Sequence, residues 1–342
     1  MSPIAPALSA LAAEIATLTE GLGRRVEVQD LRVTDRASDL TLAPPGLSSP
    51  NQACRLVEAA DGWIAVNLAR DEDRDLVAAW LGGAFGEEPW LQIGRLARGR
   101  SKDQLVEQAA LLGLPVAAVG EIASDRLEAP LLRMAARCAS PRHGPLRVID
   151  LSTLWAGPLC GAVLAEMGAA VTKVEDLGRP DPTRTATPDF HRRLNGRKSD
   201  LGLDFSNPAQ RAALRDLVLG ADVLITSARP RAFAPLGLAP ASIFAANPGL
   251  VWVAITGYGW TSGDPARVAF GDDAAAAGGL LGWTSDGAPR FLGDALADPV
   301  TGLAAAIGAL RGLMENGGVV VDAALARCAA GAAMMRRQGC PA

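Results

Sequence analysis

Residues 6–22 place apolar side chains at i, i+3 and i+4 and meet Gly23 at their end, a pattern that predicts a helix. Over residues 35–52 that period disappears and Pro, Ser, Asp and Asn accumulate, which predicts loop. Two short apolar runs, 54–58 and 63–68, then face each other across Asp61 and Gly62, a pair suited to a tight hairpin turn. Residues 71–81 and 101–112 read as helices, with Ser101 placed to cap the second and Gly113 to stop it. Residues 114–119 add one more strand. Strands and helices in this order predict a small α+β unit. The stretch 140–145 is polar and broken, and the domain boundary is set there, dividing 1–140 from 141–342.

Beyond it the pattern changes. Strand-length apolar runs at 146–151, 170–175, 200–205, 222–226 and 250–255 alternate with helical patterns at 157–167, 207–219 and 240–246. Pro158 sits in the first turn of the first helix and Gly168 ends it. This alternation predicts right-handed βαβ units and an α/β fold with a Rossmann-like, doubly wound parallel sheet. A helix at 299–314, a strand at 319–322 and a helix at 323–337 complete the chain. Open parallel sheets bind ligands beyond the carboxyl ends of their strands. The first such end runs Ser152-Thr153-Leu154-Trp155-Ala156-Gly157-Pro158 into a helix N-terminus, whose free N–H groups suit an anion or a carbonyl oxygen. It is neither G-x-G-x-x-G nor a Walker A loop, and by itself it reads equally as a tight strand-to-helix turn.

Composition narrows the classes. A chain of 342 residues is long enough for two domains. Hydrophobic residues make up 49%, much of it alanine, and no run approaches the ~20 uninterrupted apolar residues of a membrane span. The first helix carries Glu14 and Glu20 and lacks a basic segment leading into a dense apolar one, so a cytoplasmic location is expected. The net charge of -4, with signs mixed, leaves no nucleic-acid footprint. One basic cluster, His191 to Lys198, reads either as a solvated face or as an anion site. None of the five cysteines forms a CxxC pair and the two histidines lie far apart, so neither a metal site nor a disulfide framework is expected.

Several segments, in order, resemble the class III CoA-transferases, a family that includes formyl-CoA:oxalate and carnitine CoA-transferases and the α-methylacyl-CoA racemases. LRVIDLSTLWAGPLCGAVLAEMGAAVTKVED from Leu146 is similar to the family's opening strand, AGP turn, helix and KVE strand. DPTR at Asp181, LNGRKSDLGLDF at Leu194, ADVLI at Ala221, LGL at Leu236, NPGLVWVAITGYG at Asn247, GDD at Gly271 and ALADPVTGLAAAIGAL at Ala295 follow. DGWIAV at Asp61 and GLPVAAVGEIASD at Gly113 are similar to the family's small domain, which normally follows the large one. The resemblance therefore implies a circularly permuted order. It also implies an acyl-CoA and a small carboxylate as substrates, and coenzyme A as the group transferred; a homodimer is expected because a small domain on a short connector buries little area alone.

The resemblance makes Asp298 the catalytic residue. From the residues alone, an Asp before Pro299 and a long apolar helix also reads as an N-cap. The implied chemistry is nucleophilic attack on the thioester with an aspartyl intermediate, with N–H groups near Ala156 and Gly157 holding the oxyanion. Arg184, Arg197, Lys198, Arg229 and Arg231 are the candidates for the CoA phosphates. Tyr258 and Gly259 are candidates to cover the thioester. Three positions depart from the family: Ser227 stands where an asparagine is usual, Trp155 where some transferases carry glutamine, and Asp272 where transferases have tyrosine and racemases histidine. Two further readings stay open. One is an α-methylacyl-CoA racemase or epimerase in which Asp272 and Asp298 divide the acid and base roles; the other is a CoA-binding partner subunit without turnover.

Overall fold

A computed structural model describes residues 2–136 and 144–338. The expected boundary near residue 140 lies outside them, as do Cys138 and Cys340.

The chain opens with α1 (Ala5–Gly21) and α2 (Val28–Leu31), crosses the irregular segment that ends at Ala53, and enters the hairpin β1 (Cys54–Ala59) and β2 (Gly62–Asn67). Ala59 pairs with Gly62, so the turn is Ala60–Asp61, one residue earlier than the Asp-Gly signal placed it. Gly62 instead takes the positive φ, +151°, where the second strand begins. The expected single helix at 71–81 is two, α3 (Asp71–Asp75) and α4 (Val77–Leu81). They are separated at Leu76, whose ψ of -11° tightens the turn. A helix not anticipated, α5 (Pro89–Leu96), has Pro89 at its first position and Glu88 accepting from Leu91 N at 2.8 Å, both ordinary helix-start chemistry. Then come α6 (Lys102–Leu112), capped by Ser101 and stopped by Gly113 at φ +71°, β3 (Val116–Ala118) and β4 (Leu131–Arg133). β1, β2 and β3 form a three-stranded sheet. Together with α4–α6 they enclose a separate core around Ile64, Trp80, Ile93 and Leu105.

The C-terminal part alternates as expected: β5 (Arg147–Asp150), α7 (Ala156–Glu166), β6 (Ala170–Asp176), α8 (Thr183–Ala186), α9 (Pro188–Asn195), β7 (Ser199–Leu203), α10 (Pro208–Leu219), β8 (Val223–Thr226), α11 (Pro240–Ala246) and β9 (Val251–Thr256). After it come α12 (Gly271–Ala277), the two-residue strands β10 (Gly282–Trp283) and β11 (Pro289–Arg290), α13 (Ala297–Met314), β12 (Val319–Ala324) and α14 (Leu325–Gln338). Helices α8, α9 and α12 were not anticipated; each is short, and α12 carries polar side chains only at Asp272 and Asp273 in its first turn, so no polar face runs along it to reveal it.

The main sheet has seven strands in the order β4-β12-β9-β8-β5-β6-β7, all parallel except the edge strand β4. Each central strand is buried on both faces, which is why these runs read as continuously apolar rather than alternating. On one face Val223, Ile225, Val251, Val253, Val319 and Val321 meet α7, α13, α14 and α1. On the other Leu224, Trp252, Ala254 and Val320 meet α10 and α11. The first 136 residues thus divide in space: α1 packs on α13, and β4 extends the large sheet, while only β1–β3 and their helices form the second core. The chain's order reverses across the sheet between β5 and β8, and α7 starts at that reversal. Among the described residues, no helix is long and apolar enough to cross a membrane.

Candidate active site

Asp298 is the second residue of α13, not its cap: the capping position is Leu296, and no side chain bonds there. The N-cap reading is therefore set aside. The side chain is partly open to solvent. Two backbone features deliver it. Ala295, before the helix, has φ +47°, a left-handed conformation that costs a non-glycine residue about 1 kcal/mol. Its N–H donates to Asp272 Oδ1 at 2.7 Å and its carbonyl accepts from Asp298 N at 2.9 Å, so Asp272 clamps the turn that presents Asp298. Gly271 lies against the carboxylate so closely that an added Cβ would overlap Asp298 Oδ2. That approach requires glycine.

Three carboxylates meet here: Asp272 from α12, and Asp294 and Asp298 from the turn and first turn of α13. Burial drives the Asp298 carboxyl up to about 7. Arg36 and the Ala156 backbone N–H oppose that shift, while Asp272 and Asp294 add to it. Asp272, also pushed up mainly by burial and then by Asp294, reaches about 6. Both Asp272 oxygens are occupied, Oδ2 by Asn51 Nδ2 at 2.7 Å and Oδ1 by Ala295 N. Asp294 takes Arg36 Nε at 2.5 Å and Nη2 at 3.1 Å, and Asn51 Nδ2 at 2.7 Å. The guanidinium of Arg36 lies 5.0 Å above the centre of the Trp155 ring.

The turn into α7 closes the other side. Leu154 has φ +69°, the second left-handed non-glycine residue at the site. Trp155 is buried, donates to Val33 O at 2.8 Å and meets Phe190 edge to face at 5.1 Å. Gly157 faces Ser152, whose Cβ an added methyl would strike. Ser227 Oγ accepts from Thr153 N at 3.0 Å, tying the end of β8 to the end of β5.

Asp298, Asp272, Trp155, Ala156 and Gly157 come together in space. The expected phosphate ligands do not. Lys198 has no exposed side-chain surface, and its ammonium donates to Asp150 Oδ2 (2.8 Å), Pro158 O (2.9 Å) and Asn195 Oδ1 (2.8 Å). Arg184 is bound to Glu175 and Asp200, and Arg197 to Glu166. Tyr258 is buried and accepts from Arg267 at 2.8 Å. Gly259, at φ +121°, gives room to Arg327 and Asp322. Arg229 and Arg231 line one open cleft, of about 340 Å³, together with Arg70, Arg179 and the acids Glu72 and Asp73, and Arg197 lines another. The other three guanidinium groups lower the Arg229 pKa, after burial has done most; of the three, Arg70 is itself paired with Asp73 in the cleft wall.

Sequence reasoning missed Arg36, Asn51 and Asp294 at the carboxylate cluster and Arg70 and Arg179 in the cleft. Arg36 and Asn51 lie in the aperiodic segment, where nothing in the pattern marks them. Asp294 alone carries a local mark, a second acid four residues before Asp298.

A family model described as CoA-transferase family III matches residues 145–340, and the chain belongs to that family. It is 32% identical over 184 residues to a succinyl-CoA–D-citramalate CoA-transferase of Chloroflexus aurantiacus, covering 50% of this chain and 45% of the relative. The human succinyl-CoA:glutarate CoA-transferase is 30% identical over 180 residues, covering 50% and 41%. A crystal structure of a CAIB/BAIF family protein from Brucella suis matches with TM-score 0.50 and 31% identity over 54% of this chain and 53% of that one. The chain spans about half the length of the curated relatives it matches.

Proposed function

We propose that this protein is an acyl-CoA:carboxylate CoA-transferase with Asp298 as nucleophile. The observation that carries the reading is a partly open carboxylate that titrates near neutrality, wedged between Gly271 and the Ala156 N–H at the N-terminus of α7. A buried carboxylate of raised pKa is a stronger nucleophile once ionised than one in water. Asp298 attacks the thioester carbonyl; the new C–O bond forms as the C–S bond breaks, and CoA thiolate leaves. The thiolate attacks the aspartyl carbonyl of the anhydride and releases the acyl group as a carboxylate. The acceptor carboxylate then attacks the aspartyl thioester, and the thiolate returns to the acceptor's acyl carbon, freeing Asp298. The Ala156 N–H is the donor nearest the developing oxyanion.

The four-arginine cleft supports a CoA phosphate site, with Arg229 and Arg231 as the expected residues and Arg70 and Arg179 added to them. Arg70 lies 5.5 Å over the Phe270 ring, and Phe270 precedes the Gly271 that touches Asp298, so cleft and nucleophile flank one short segment. Succinyl-CoA in the relatives' names supports a short acyl-CoA donor with a small carboxylate acceptor. The racemase reading needs Asp272 free to exchange a proton with substrate, and both of its oxygens are already bonded; it ranks second.

Incubation with short acyl-CoAs and hydroxylamine, followed by mass spectrometry, tests the reading. A hydroxamate should map to Asp298 in the wild type and vanish in Asp298→Ala, with turnover falling at least ~10³-fold. CoA binding without any adduct would leave a non-catalytic subunit, and deuterium uptake at the α-carbon without an adduct would leave the racemase.

We also propose the permuted order: a small unit drawn from residues 1–140 precedes the Rossmann-like, CoA-binding unit of 141–342. Two packings support it: α1 on α13 and α14, and β4 on β12. A homodimer is expected as well. A gene rejoined so that residues 144–338 precede 2–136 should give the same far-UV spectrum and the same dimer mass by light scattering. An unfolded product removes the permutation, and a monomeric wild type removes the dimer.

A further inference from the structure

Resting on that reading of Asp298, a second residue of the site can be assigned from geometry. The site holds three carboxylates and one guanidinium, and that guanidinium comes from outside the family-matched residues 145–340. Arg36 belongs to the irregular segment between α2 and β1. Asp294 grips it through two oxygens, the Trp155 ring lies under it, and its side chain keeps 18% of its surface. Asn51, from the same segment, donates one amide nitrogen to Asp272 Oδ2 and to Asp294 Oδ1, the oxygen that also takes Arg36 Nη2, and is itself fixed by Ser49 Oγ and Ala53 N at 2.9 Å each. Asp294 thus holds the Arg36 guanidinium within the cluster that contains Asp298.

We propose that Arg36 is a positioning residue for the nucleophile: fixed by Asp294 and Trp155, it supplies the positive charge that keeps the Asp298 carboxylate an anion able to attack the thioester. The groups that face Asp298 are Arg36 from the irregular segment, Asp272 from α12, Asp294 from the turn before α13 and the Ala156 N–H of α7. The two carboxylates oppose ionisation; only Arg36 and the N–H favour it. The same charge serves the rest of the cycle. When Asp298 is acylated it loses its own charge, and Arg36 remains paired with Asp294, so the cluster does not have to recruit a counter-ion between half-reactions.

The test follows the ionisation of Asp298 by carboxyl ¹³C NMR, with the resonance identified by its absence in Asp298→Asn. In parallel it follows the pH dependence of hydroxamate formation. Arg36→Gln should move the Asp298 midpoint upward by about one unit or more. Adduct formation at pH 7 should then fall about tenfold and recover at pH 9. Arg36→Lys should restore most of the wild-type midpoint. Asp294→Asn, which removes a like charge, should move the midpoint down. A merely structural role would lower activity at every pH and leave both midpoints in place. A midpoint unmoved in Arg36→Gln, or moved the same way by Arg36→Gln and Asp294→Asn, overturns the proposal; if Arg36→Gln does not fold, Arg36→Lys and Asp294→Asn decide it. A wild type that gives no adduct at any pH defeats the transferase reading instead, while the NMR midpoints still judge Arg36.

Discussion

Asp150 and Asp298 both lie against α7, Asp150 beside Gly161 and Asp298 at the Ala156 N–H, and their surroundings treat them in opposite ways. Asp150 is fully buried; burial pushes its carboxyl up, yet the Lys198 and Lys173 ammonium groups overcome this and hold it below the usual carboxylate range. Ser152 donates to it from both its backbone N–H and its hydroxyl, and Lys173 is shared with Ser152 O and Asp181. Asp298 keeps part of its surface open and shares a single guanidinium with two other carboxylates, so it stays near the midpoint of its titration at neutral pH. The same residue type is a structural anion where positive charge is in excess and, on the proposed reading, a reactive group where it is short. Charge balance, rather than burial alone, separates the two roles.

The comparison breaks most visibly at Lys198. Removing one partner of a buried ion pair strands the other charge, and such losses run to about 3–5 kcal/mol. Lys198→Met should therefore lower the free energy of unfolding by about that much in urea titration, and should leave the Asp298 NMR midpoint in place. A cost under ~1 kcal/mol would show that Asp150 is not held by this pair, and a moved midpoint would show that the two carboxylates share one network.

Much of this architecture was legible beforehand, and the limits of that legibility have physical causes. The parallel strands announced themselves because a strand buried on both faces, such as Val251–Thr256, is an unbroken apolar run. Asp298 is proposed from the resemblance and not from local pattern, since an Asp ahead of Pro299 fits a cap as well. Lys198 was misjudged because LNGRKSD reads as a surface anion site. Nothing local reveals that the ammonium turns inward to Asp150, 48 residues away in sequence. Arg36 is the extreme case. Its partner is 258 residues away, and its segment has no period, so only tertiary packing brings it to the cluster. The aromatic Trp155 was noticed as a departure from the family pattern; its place under Arg36 gives that departure a physical consequence.

The smallest expected effect is the most specific to the comparison, because it asks whether Asp298 is held short of charge at the expense of the fold. In the unfolded chain Asp298 titrates near its ordinary 3.8, and in the native protein near about 7. The native state then binds the proton more tightly. The stability this contributes is present in full below about pH 4 and is lost as pH rises through about 7. Asp298→Asn, which mimics the protonated acid, should unfold like the wild type at pH 4–5 and be the more stable of the two at pH 8. One pKa unit corresponds to about 1.4 kcal/mol, so the ceiling is about 4 kcal/mol. Solvent reaches this side chain, which reduces the expected gain to about 1–2 kcal/mol. Asp272, raised to about 6, is present in both proteins and largely cancels in the difference. Chemical denaturation of the two proteins across pH 4–8 reads this directly. A difference that stays flat with pH would mean that Asp298 ionises as freely in the fold as in water; the contrast with Asp150 would then rest on packing alone.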